Sequence, residues 1–389
     1  MERLVGPLYL KRTTRGLTFI ENLSRYKKFW RIFGEIGIII TLGAVGASFL
    51  LYHRLSMKKW NKILITLIVG LTIVGLAHLK FNLATAIGGA MGLIFFLLVE
   101  TVRMVLTSTE PVDAVQVLIP GITIPFWYGI FGIMVLIVVH ELSHAIVART
   151  DGIRIKSSGI IFFSLLPIGA FIEPDEDDLM NSNKISRMRV FSVGSLSNFI
   201  AAAIATTVFL SLFPVLMIST GIEVADVVKG SPAYGVLEKD MVIMEINDIK
   251  VNDLDSFTEI MNNVKPGDVL KIRTNKGTVT IKTTEHPQIE GRGYIGFYPR
   301  TAYEVTPHIR EIFGDFPKIV IYIFYWVGIL NMVVGLMNLL PIKILDGGRL
   351  YEEIVNELFP NHATIIMHAT TMVVLFLFGI LITPKLISG

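Results

Sequence analysis

Residues 140 to 144 read His-Glu-Leu-Ser-His. On a helix, positions i and i+4 share one face, so His140 and His144 can reach a single metal ion. Two neutral imidazoles plus one carboxylate from elsewhere form a three-ligand site whose fourth position stays open to water. That donor set suits zinc, one ion per chain. Glu141, beside the first imidazole, is the expected general base. It would take a proton from an attacking water and later return it to a leaving amine. The motif therefore points to metal-assisted hydrolysis, but its setting is apolar: the preceding run, Phe126 to Val139, carries no charged residue. Ionisable groups at membrane depth are costly unless paired or metal-bound, which marks the cluster as functional.

The third carboxylate is sought downstream. Residues 338–348 read Asn-Leu-Leu-Pro-Ile-Lys-Ile-Leu-Asp-Gly-Gly. Asp346 follows a long apolar run, and the Gly347-Gly348 pair permits close backbone approach. Asp346 has two readings, a metal ligand or an N-cap for the helix that follows. Its expected depth, level with residues 140–144, favours the ligand.

These residues must be positioned by membrane elements. Of the 389 residues, 52% are hydrophobic and 17% charged, with a mean hydropathy of +0.62, whereas ordinary soluble domains carry about 25% charged residues. The fold class is a polytopic α-helical membrane protein, with about six to seven transmembrane helices at about 20 apolar residues each. Candidate spans lie at 34–53, 61–79, 84–107, 124–148, 187–218, 317–341 and 364–384. A net charge of +3 gives no case for nucleic acid, and the absence of cysteine excludes disulfides, thiol chemistry and Cys-zinc sites. Residues 1–33 are basic and lack a long apolar core, so they are expected to stay cytoplasmic.

Two stretches are not helical in pattern. Residues 152–174 alternate and are then broken by Pro167 and Gly169. They are expected to form a membrane-associated β-hairpin whose edge could pair with an extended substrate, or else an interfacial loop. Residues 220–300 are rich in charge and strand-like alternation, the pattern of a small α+β domain inserted between two spans. The acidic run at 174–178 is expected to be a solvated loop rather than a second metal site. Four further segments follow: 1–33, a basic cytoplasmic segment; 34–120, the N-terminal transmembrane helices; 121–219, the first part of the catalytic core; and 301–389, its second part, with the third ligand and a last span.

Three elements in order resemble the site-2 protease family of intramembrane zinc metalloproteases: His140-Glu141-x-x-His144, Gly194-x-x-x-Asn198, and Asn338-x-x-Pro341-x-x-x-x-Asp346-Gly347. The resemblance implies that His140, His144 and Asp346 bind zinc, with Glu141 as base. It further implies that Asn198 and Asn338 lie near the site and hold substrate backbone or an oxyanion. Where some relatives carry a second proline, this chain has Ile344. The insert resembles a PDZ domain through Gly230-Ser231-Pro232-Ala233, Asp240-Met241-Val242-Ile243, Ile246-Asn247 and Lys265-Pro266-Gly267-Asp268, with Lys239 and Asp248 where glycine is usual. If it takes a peptide ligand, Gly221 to Val224 would form part of the groove; a size filter is the alternative.

The expected activity is cleavage of transmembrane segments of other membrane proteins within the lipid bilayer. The active site would face the cytoplasm and the PDZ-like insert would lie outside. The loop at 54–59, with Arg54, Lys58 and Lys59, breaks the positive-inside pattern, since it would lie outside. The rival readings are a metal-binding transporter and a PDZ-bearing scaffold without catalysis.

Overall fold

The computed structural model describes residues 2–3, 8–13, 16–55, 82–107, 118–163 and 166–387. The expected span at 61–79 lies outside the described residues. The chain divides into two compact units, Met1–Thr207 with Ile323–Gly389, and Val208–Tyr322.

The first unit opens with strands β1 (Glu2–Arg3) and β2 (Leu8–Thr13), then helices α1 (Leu17–Ser24), α2 (Lys27–Leu55), α3 (Asn82–Thr107) and α4 (Phe126–Thr150). Strands β3 (Ile155–Phe163) and β4 (Leu166–Pro174) follow, then α5 (Glu176–Asn181) and α6 (Lys184–Leu216). β3 and β4 are the expected hairpin. They belong to a larger antiparallel sheet of order β1-β2-β3-β4, because β2 pairs with β3 from Leu8↔Phe163 to Thr13↔Ser158. Two stretches of the nominally basic segment 1–33 are thus strands. β4 is the edge of this sheet, and it lies along α4. The acidic run is also more ordered than a loop: Asp175 caps α5 by accepting from the N–H groups of Asp177 and Asp178, both at 3.1 Å.

The second unit contains β5 (Met217–Val227), β6 (Val242–Ile246), β7 (Ile249–Lys250), α7 (Leu254–Asn262), β8 (Val269–Thr274), β9 (Gly277–Lys282), β10 (Thr284–Glu285), β11 (Gly293–Tyr294), β12 (Phe297–Val305) and α8 (Pro307–Phe313). Its main sheet runs β12-β5-β6-β8-β9 around a core that includes Ile222, Val224, Ile243, Ile246, Leu270 and Ile272. A capping box starts α7: Asp253 accepts from Ser256 N at 2.8 Å, and Ser256 Oγ accepts from Asp253 N at 3.0 Å. Asn247 and Asp248, between β6 and β7, both have positive φ (49° and 65°), which explains why glycine is usual there. One expectation is overturned. Ile222 and Glu223 pair with β12 on one side and β6 on the other, so residues 221–224 offer no free edge to a peptide. The sheet ends at β12 and at β9; beside β12, Leu254 N of α7 donates to Thr301 Oγ1 at 3.3 Å.

The chain then forms α9 (Phe316–Met337), α10 (Asp346–Leu358) and α11 (Ala363–Ile387). Six helices among the described residues, α2, α3, α4, α6, α9 and α11, are long and apolar enough to cross a membrane. The geometry of α2 differs from one straight crossing. Arg54 Nη2 lies 2.6 Å from Glu35 Oε1, 19 residues away, whereas a straight helix would separate them by about 28 Å. The reversal is at Gly43, which has φ 55° and ψ −133° inside the helix. The two arms span about 24 and 18 Å, each short of the ~30 Å hydrocarbon core. α2 is therefore a helical hairpin, and its return brings Arg54 back beside Glu35 on the first arm. Gly89 makes a similar break in α3 (φ 59°, ψ −144°), and a Cβ on either glycine would strike the backbone of the other.

Candidate metal centre

Helix α4 supplies the first two donors, and His140 Nε2 and His144 Nε2 lie 3.1 Å apart. The first residue of α10 supplies the third: Asp346 Oδ2 is 3.2 Å from His140 Nε2 and 2.9 Å from His144 Nε2. Among the described residues this is the group of acidic and imidazole side chains that could hold a metal. Tetrahedral zinc with bonds of about 2.0–2.1 Å places its donors about 3.3 Å apart, so the spacing fits. Without a cation between them, two imidazole lone pairs and a carboxylate oxygen would face one another at these distances.

The second nitrogens of the rings orient the first. His144 Nδ1 donates to the Val190 carbonyl of α6 at 2.6 Å, which leaves the Nε2 lone pair aimed at Asp346. His140 Nδ1 lies 3.1 Å from Asn198 Nδ2, while Asn198 Oδ1 is buried without a partner. Turning that amide over lets Oδ1 accept from Nδ1–H, which satisfies the orphaned oxygen and frees the His140 Nε2 lone pair. The buried amide therefore fits a metal-ligating imidazole better than an unliganded one.

α6 can approach this closely because of one residue. A Cβ on Gly194 would collide with both His140 Cε1 and His144 Nε2. The Gly194-x-x-x-Asn198 spacing thus places a bare backbone against the rings and an amide one turn on. Asn338, at the end of α9, donates from Nδ2 to Asp346 Oδ2 at 2.8 Å and lies 3.3 Å from His140 Nε2. Gly347 N donates to Asn338 O at 2.9 Å, which closes the tight turn. Asp346 is the first residue of α10; Leu345 holds the cap position and no side chain caps the helix.

Glu141 lies on the same helical turn as His140. Its Oε2 accepts from Ile172 N of β4 at 3.2 Å, so a backbone donor on the edge strand serves the carboxylate. The acidic run does not converge on a metal: Asp178 accepts from Arg154 Nε at 2.6 Å, and Asp175 lies 3.2 Å from Arg154 Nη2.

Two features escaped the sequence reading. Asn331, fully buried on α9, donates to Val327 O at 2.8 Å and leaves Oδ1 unpartnered. Its spacing of seven from Asn338, in an apolar span, was the available signal. The second is a buried ion-pair cluster at the foot of α6. Arg189 pairs with Glu35 and lies 3.0 Å from Asp151 Oδ2, and Asp151 also accepts from Arg31 at 2.8 Å. Burial pushes the Asp151 carboxyl up, but the Arg31, Ser186 and Arg189 partners together hold it below the usual range. Arg189 directly precedes Val190, the acceptor that orients His144.

Fold and site define an integral membrane protein that carries a hydrolytic type of metal site. The profile of peptidase family M50 matches residues 128–381. The chain belongs to that family. An uncharacterized protein of Methanocaldococcus jannaschii is 32% identical over 265 residues, 65% of this chain and 65% of that protein. A membrane-bound transcription factor site-2 protease homolog of Arabidopsis thaliana is 25% identical over 138 residues, covering 34% of this chain and 26% of its own length. A chloroplast protein of the same plant, named as a probable membrane metalloprotease, is 25% identical over 298 residues, 55% of this chain and 68% of its own. The match thus spans under two thirds of the first two relatives.

Proposed function

We propose that the protein is an intramembrane zinc endopeptidase that cleaves transmembrane segments of other membrane proteins. The reading is carried by the convergence of His140, His144 and Asp346 within an apolar bundle. Zinc held there would polarise the scissile carbonyl and activate water. Glu141 takes the proton of the attacking water and delivers it to the leaving amine. Asn198 fixes the ring of His140, and Asn338 fixes Asp346 while its amide remains near enough to assist a developing oxyanion.

The edge of β4 supports a role in holding substrate. A peptide bond in a helix is shielded by its own hydrogen bonding, so a substrate must unwind before attack. An unwound segment could pair along β4 by strand addition, and Ile172 N already ties that edge to Glu141. The second unit we take as PDZ-like; a peptide ligand would add at the edge of β12 beside α7, and the size-filter alternative stands with it. Positive charge near span ends supports an active site toward the cytoplasm and a PDZ-like insert outside.

The test is Glu141→Gln in purified protein, with a single-span substrate in detergent. Cleavage should fall by about 10²–10⁴-fold, in line with loss of a general base, while bound zinc is unchanged. Undiminished turnover would reject the assignment.

A further inference from the structure

Most cations in the first unit are matched by carboxylates. Arg31 faces Asp151, Arg54 faces Glu35, Arg149 faces Glu21, Lys184 faces Glu357, Arg187 faces Glu353, and Arg189 faces Glu35 and Asp151. Among the described residues, Lys11 and Lys343 singly, and Arg25, Lys27 and Lys28 as a cluster, lack such a partner. The three of the cluster are exposed and nearly consecutive. They line a surface depression of about 560 Å³ at the corner between α1 and α2, together with Tyr26, Phe29 and Ile32.

The neighbouring surface is apolar. Tyr26 is 68% and Phe29 58% exposed, and the exposed stripe continues along α2 through Ile32, Ile36, Ile39 and Ile40. In a membrane protein such a stripe contacts acyl chains, and aromatic rings at its head sit at the level of the headgroups. The corner itself is rigid. Trp30 Nε1 donates to Leu23 O at 2.9 Å, and Arg149 Nη2 donates to Glu21 at 2.8 Å, which pins α1 to α4.

The geometry points to a binding site for the phosphodiester headgroup of an anionic phospholipid, formed by Arg25, Lys27 and Lys28, with the acyl chains running along Ile32 and Ile36. A soluble phosphate would use the cations but not the stripe. The site is independent of the protease reading, because its test reads lipid rather than cleavage.

The experiment is native mass spectrometry of the purified full chain titrated with phosphatidylglycerol, phosphatidylcholine or inorganic phosphate. Phosphatidylglycerol should be retained well above phosphatidylcholine, and inorganic phosphate should not displace it at equal concentration. The triple variant Arg25→Gln, Lys27→Gln, Lys28→Gln should lower phosphatidylglycerol affinity by roughly 100-fold, given the strength of cation attraction to an anionic surface. Lys271→Gln with Lys276→Gln, in the second unit, should leave it unchanged. If the triple variant misfolds, Phe29→Ala with Ile32→Ala decides: phosphatidylglycerol should weaken while the salt dependence of the remainder stays as in the native chain. Equal retention of the two lipids by the native chain, undiminished binding in a folded triple variant, or displacement by phosphate would each overturn the proposal.

Discussion

The two units bury different kinds of side chain. In the second, the interior is apolar, built on Ile222, Val224, Ile243 and Ile246, and the buried polar residues are Thr274 and Thr283. Ion pairs in it such as Lys271 with Asp248 and Lys276 with Glu238 are exposed on both partners, whereas Glu245 and Glu223 are only partly exposed beside Arg273 and Arg300; an exposed pair contributes about 0–1 kcal/mol. In the first unit Arg189, Glu353, Ser192, Ser195, Asn198 and Asn331 are buried alongside aliphatic residues. The difference follows from the solvent. Water drives the apolar side chains of a soluble domain together, but lipid tails are as apolar as leucine and exert no such pressure on a span. Bundle helices are registered instead by close backbone approach and polar contacts. The interior polarity that would be a flaw in the second unit is, in the first, what aligns α4, α6 and α9 around the three donors.

Substitutions should separate the two regimes. The largest effect is expected from Gly194→Val: its side chain cannot fit between α6 and the imidazoles, so bound zinc should be lost. Metal analysis checks this, and stoichiometric zinc in the variant would show that the rings can move aside. Asp346→Ala should also lower zinc content; an unchanged content would remove Asp346 from the ligand set. Next, Asp151→Ala leaves Arg189 with Glu35 alone and Arg31 without its carboxylate, and should cost about 1–3 kcal/mol, the range for removing one partner of a buried polar group. Thermal unfolding in detergent measures it.

The same cluster sets a pH dependence. The folded pKa of Asp151 lies below its unfolded value of about 3.9, so its stabilisation is complete above that pH and is lost as pH falls through the lower folded value. The native chain should lose thermal stability more steeply than Asp151→Asn as pH falls below about 4; parallel curves would remove the cluster from the account. The smallest effect belongs to the second unit. Ile243→Val in the apolar core should cost about 0.5–1.5 kcal/mol with no change in zinc content. A change in zinc would mean that the two units are less independent than their interiors suggest.

Much of this architecture is legible in the residues. Apolar runs of span length locate α3, α4, α6, α9 and α11, and the alternating runs with turn residues between them mark the sheet of the second unit. The reversal of α2 is not legible in this way. Residues 34–53 have the composition of one crossing, and glycine is common in spans, so nothing local distinguishes the turn at Gly43 from a glycine in a straight helix. The reversal emerges from the Glu35 to Arg54 contact. Nor could pattern foresee that β2 would extend the hairpin sheet, since strand pairing over 145 residues is a tertiary choice.

By itself the sequence determined the chemistry on offer. The i, i+4 spacing of His140 and His144 puts two imidazoles on one face of any helix, and the acid next to them follows from adjacency. Tertiary structure alone decided which carboxylate completes the set, because Asp346 lies 202 residues beyond His144 in sequence and 2.9 Å from it in space. It also decided that Asn198 and Val190 orient the rings and that Arg189 is buried between Glu35 and Asp151. Local spacing is set by the helical repeat, which the chain carries everywhere. Convergence of distant segments depends on how whole helices pack, and that is a property of the bundle.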